Sequence, residues 1–73
     1  MEYYVNINEL KAELARKGYN ISSFSDALGA SRSTVSAVLN GKKPTYEFMQ
    51  RTMQILELDT ERGMAIFFAT KLT

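Results

Sequence analysis

Glycine stands at positions 18, 29, 41 and 63, and cuts the chain into stretches of about 11 to 22 residues. Short polar residues stand where the apolar stretches begin: Asn6, Asn20, Ser31, Thr45 and Asp59. Such residues cap helix N-termini by accepting a hydrogen bond from an N–H two or three positions on. Glycine closes helix C-termini by entering the left-handed backbone region. This alternation predicts a series of short helices, and 73 residues allow one small domain, 1–73.

The apolar spacing fills in the elements. Ile7, Leu10 and Leu14 form one stripe, so a first helix is expected over about 7–17. Asn6 with Glu9 makes a variant capping box, and Val5 and Leu10 take the positions of a hydrophobic staple. Gly18 stops this helix and lets Tyr19 fold back onto Leu14. Asn20 caps a second helix bearing Ile21, Phe24 and Leu28, which Gly29 ends. Ser31 caps a third, with Val35, Val38 and Leu39 inward, closed by Asn40 and Gly41.

Pro44 forbids continuation, and Thr45 caps a fourth helix reaching about Leu58. Met49, Met53 and Leu56 are expected to face inward there, with Tyr46, Phe48 and Ile55 widening the apolar surface. Asp59 caps a last helix to about Phe68 that contains Met64 and Phe67, followed by an extended tail pairing with residues 2–5. The expected fold is all-α: a compact five-helix bundle containing a helix-turn-helix, with minor strand pairing of its two ends.

Composition narrows the chemistry. Neither Cys nor His is present, so disulfides, thiolate or imidazole metal ligands, imidazole bases and thiol nucleophiles are all excluded. There is no GxGxxG or P-loop, no Ser or Thr lies three residues before a Lys, and the eight acidic residues are scattered. No enzyme, cofactor or small-molecule ligand is expected. No apolar run approaches the roughly 20 residues that span a bilayer, so the expectation is a cytoplasmic protein with no membrane partner.

Net charge is +1, yet it is unevenly spread. Residues 1–15 carry Lys11 against Glu2, Glu9 and Glu13, whereas residues 16–43 carry Arg16, Lys17, Arg32, Lys42 and Lys43 against Asp26 alone. A lopsided field matters more for binding than the total.

The positive segment contains ISSFSDALGASRSTVSAVLN, residues 21–40, which describes two short helices joined by a glycine turn. Ser25 is small enough for close helix approach. Gly29 enters the turn, and Phe24, Leu28, Val35 and Val38 fix the angle. Arg32, Ser33, Ser36, Ala37 and Asn40 are left on the outer face of the second helix. Read from Leu28 to Pro44, LG-x-S-x-x-x-V-S-x-VLNGK-x-P resembles the lambda-repressor/Cro type of helix-turn-helix regulator. The aromatic start and the FFATKL ending also look like small Cro-like phage regulators. Ile21 stands where that family often has a Gln on the DNA backbone, so no phosphate contact is expected there.

The resemblance implies a transcriptional repressor whose partner is a double-stranded DNA operator, read in the major groove by residues 32–39. Chemistry assigns parts to the residues. Arg32 suits guanine O6 and N7; Ser33 and Ser36 suit base edges or phosphates; Ala37 suits a thymine methyl. Ser22, Ser23 and the free N–H groups beginning the first helix of the pair suit a phosphate. Lys42 and Lys43 add sequence-independent backbone affinity. One unit reads about half a site, so a homodimer on a pseudo-palindromic operator is expected. Its surface is expected in the C-terminal part, from Ile55, Ile66, Phe67 and Phe68. The alternative is a protein-binding module of the same fold, such as an antirepressor that pairs with another regulator.

Overall fold

In the computed structural model, which describes residues 3–70, every helix begins at the polar residue expected of it. Asn6 opens α1 (Ile7–Arg16), Asn20 opens α2 (Ile21–Leu28), Ser31 opens α3 (Arg32–Leu39), Thr45 opens α4 (Tyr46–Ile55) and Asp59 opens α5 (Thr60–Phe67). Each side chain accepts the N–H three residues on, satisfying one of the donors a helix start leaves unpaired. In α1 only half of the expected capping box forms. Glu9 reaches Arg62 instead of returning to the Asn6 N–H, which donates to the Ile66 carbonyl at 2.7 Å.

Four helices close in the same way. The residue just after a left-handed one donates to a carbonyl five positions back: Tyr19 to Leu14, Ala30 to Ser25, Lys42 to Ala37 and Leu58 to Met53, at 2.8 to 3.0 Å. Gly18, Gly29 and Gly41 supply the left-handed residue in the first three. In the fourth it is Glu57, at φ +54°. Helix α4 consequently stops at Ile55, three residues before the expected end, because a non-glycine residue makes the turn. Gly63 is no stop at all: it lies buried inside α5, where a Cβ would overlap the Sδ and Cε atoms of Met53.

The core gathers Leu10 and Leu14 of α1, Phe24 and Leu28 of α2, Val35 and Val38 of α3, Phe48 of α4, Leu56 behind it, and Ile66 and Phe67 of α5. Phe24 is its centre, edge-on to Tyr19 and Phe48 with ring centroids 6.0 and 6.3 Å away. Helix α2 packs on both α3 and α4, while α5 lies on α1. That last contact is tied by Arg62, whose Nη2 pairs with Glu9 and whose Nε donates to the buried Glu13 carboxylate at 3.0 Å.

Strands β1 (Tyr3–Tyr4) and β2 (Ala69–Thr70) form the expected antiparallel pair, with Tyr3 opposite Thr70 and Tyr4 opposite Ala69. The parts of that expectation falling on residue 2 and on residues 71–73 lie outside the described residues. Met64 and Tyr46 are exposed, because α4 and α5 each have one inward face and Phe48, Ile66 and Phe67 occupy it. For the same reason Ile66 and Phe67 are core and supply no dimer surface; Phe68, just past α5, stays exposed and Ile55 is half-buried. No helix among the described residues is long and apolar enough to cross a membrane.

Candidate nucleic-acid interface

The α2–α3 unit is built around Gly29, whose φ of +71° swings the chain from one helix into the next. Its N–H and that of Ala30 close α2, and Ser31 starts α3 within two residues. Ser25 is 2% exposed and donates its hydroxyl to the Ser22 carbonyl at 2.9 Å, so the small residue between the helices carries no unmet polar group. Phe24, Leu28, Val35 and Val38 are all buried in the contact, as their spacing predicts.

A residue the sequence did not single out locks this turn from outside. Arg51 of α4 donates Nη1 to the Leu28 carbonyl at 2.8 Å and pairs Nη2 with Glu47 at 2.7 Å. The only sequence signal was a Glu-to-Arg spacing of four, which describes any solvated helix face. The long-range half of the contact carries the positioning.

Helix α3 presents Arg32 and Ser33 to solvent, with Ser36 and Ala37 half-buried beside them. Thr34, also exposed, is bonded back to the Ser31 cap. Asn40 is exposed, but its amide lies along the helix and donates to the Ser36 carbonyl at 2.9 Å. Lys42 and Lys43 are exposed just past Gly41. At the start of α2, Ser23 and Asn20 form a reciprocal box: the Asn20 N–H donates to Ser23 Oγ at 3.0 Å, and the Ser23 N–H donates to Asn20 Oδ1 at 2.8 Å. Ser23 is thus spent on its own helix, and Ser22 is the hydroxyl left without a partner there among the described residues.

Arg16 pairs with Glu13, Arg51 with Glu47, and Arg62 with Glu9 and Glu13. Hydrogen bonding and attraction from Arg62 hold the Glu9 carboxyl below its ordinary value, and the two carboxylates in turn hold the Arg62 guanidinium more firmly protonated. Among the described residues, Arg32, Lys42 and Lys43 have no carboxylate within 4 Å. Lys11 and Lys17 of the α1 region are unpaired among these residues as well, so three of these five free cations belong to α3 and the loop that follows.

No family model, curated protein or solved structure matches the chain. What this surface does rests on its own chemistry. An eight-residue helix is about 12 Å long, comparable to the width of the DNA major groove. Apart from Arg32 the outward side chains are short, so a bulky, anionic surface can approach the helix closely.

Proposed function

We propose that the protein is a sequence-specific, duplex-DNA-binding transcriptional regulator, a Cro-like phage repressor acting in the cytoplasm of a bacterial host, with α3 laid in the operator major groove. The observation that carries this reading is the composition of one face. Arg32 opens α3 without a carboxylate partner among the described residues, short side chains follow it, and Lys42 and Lys43 stand just past the end of the helix. The fork of Arg32 reaches guanine O6 and N7; Ser33 and Ser36 meet base edges or phosphates; Ala37 meets a thymine methyl. Asn40, bound along α3, supports the end of the helix, and Ser22 and the two lysines hold the sugar–phosphate backbone. Two copies sit on a pseudo-palindromic operator with half-sites about 34 Å apart. Exposed Tyr46, Met64 and Phe68 give the apolar surface that such pairing uses.

Titrating labelled duplexes, selected from a random pool, at two salt concentrations tests this. Arg32→Ala is expected to cost roughly 1–3 kcal/mol and to relax preference at one base pair. Lys43→Ala is expected to weaken binding to all duplexes about equally and to lower the salt slope by about one unit per site. Equal, weak binding by wild type and both variants would overturn the reading in favour of a protein-binding module, such as an antirepressor.

A further inference from the structure

We propose that the Tyr3–Tyr4 ribbon is a second contact to the duplex backbone, its phenol hydroxyls donating to phosphate oxygens on the strand that Lys43 also holds. This rests on the DNA reading above and extends the interface beyond the α2–α3 unit. Tyr3 and Tyr4 are 53% and 44% exposed, although both sit in a paired strand next to the core. They line a cleft whose other wall is Gly41 and Lys43, the loop leaving α3. A second cleft joins the same two tyrosines to Lys43 and Pro44.

Three contacts tie the ribbon to the rest of the fold. β1 pairs with β2, the next N–H in reach, that of Asn6, donates to Ile66, and the Tyr3 ring stands edge-on to Phe68 with centroids 5.8 Å apart. The hydroxyls are left unspent: Tyr46 uses its own with Gln50, but among the described residues neither Tyr3 nor Tyr4 has such a partner. An exposed phenol on a paired strand beside an unpaired lysine is a neutral donor next to a cation. A phosphodiester accepts from both.

The chemistry gives the ribbon a signature different from that of Lys43. A phenol carries no charge and displaces no counterion, so its loss weakens binding without changing the salt slope. The doubly substituted protein, Tyr3→Phe with Tyr4→Phe, keeps both rings and removes both hydroxyls. Titrated against the same selected duplexes at two salt concentrations, it is expected to bind every sequence about three- to tenfold more weakly, with the wild-type salt slope and the wild-type thermal midpoint. Wild-type affinity in this protein, alongside a weakened Lys43→Ala, takes the ribbon off the DNA and leaves the groove reading intact. A loss confined to one sequence, or one accompanied by a lowered thermal midpoint, also overturns the proposal, since it makes the tyrosines base readers or part of the fold. If Arg32→Ala and Lys43→Ala bind like wild type as well, the DNA reading itself fails and the ribbon contact fails with it.

Discussion

At φ +71°, Gly29 occupies backbone space in which a Cβ crowds the following carbonyl, and a β-branched side chain fits it worst. Gly29→Val is therefore expected to destabilise the protein by more than about 1 kcal/mol in urea denaturation. Residue 57 poses the opposite case. Glu57 holds the same left-handed region at φ +54° to close α4, at the steric cost Gly29 avoids. Glu57→Gly relieves that strain while adding some freedom to the unfolded chain, so a net gain of about 0.5 kcal/mol is expected by the same measurement. These two positions also mark where helix ends are legible in a sequence. Gly18, Gly29 and Gly41 announce theirs through a residue type made for the geometry. A glutamate announces nothing, and reading on to Leu58 follows from an apolar pattern that tertiary closure cuts short. Gly63 misleads in the other direction: its missing side chain answers to Met53 on the neighbouring helix, a contact that no local pattern encodes.

Between elements, the reliable information is the cap at one end of each helix and the apolar stripe along it. Those two signals place α2 and α3, their buried contact and the outward position of Arg32 and Ser33. They do not reveal how the pair is held against the rest of the molecule. Arg51 reaches from α4 to the last turn of α2, and its partner there is a backbone carbonyl, which carries no residue identity to read. Arg51→Met keeps much of the apolar stem and removes the donor. It is expected to cost about 1 kcal/mol of stability, measured by thermal or urea unfolding. The same limit explains Ser23: its spacing from Asn20 permits both a free hydroxyl facing a phosphate and a reciprocal cap, and the backbone geometry selects the cap. Helix-start residues are ambiguous in this way because one oxygen serves either the helix or a ligand.

Across the whole molecule, α1 and α5 are held together by Arg62, lying between Glu9 and the buried Glu13. Because Glu9 titrates below its ordinary value in the folded protein, its contribution is fully present above about pH 4.5 and is lost as pH falls through the folded value. The thermal midpoint is expected to drop on acidification below that point, and Glu9→Gln to show a shallower drop over the same range. The two-strand ribbon joins the same distant parts of the chain by another route. Tyr4 and Ala69 pair across nearly the full length of the described residues, whereas the α2–α3 contact is made between neighbours in sequence. Closing so long a loop is entropically costly, and two residues per strand return little for it. The ribbon is accordingly expected to assemble last and open first, its amides exchanging with solvent through local fraying while those around Phe24 wait for global unfolding. A duplex seated on Tyr3, Tyr4 and Lys43 would suppress that fraying, and amide protection at the ribbon would report occupancy of a groove read by a different part of the chain.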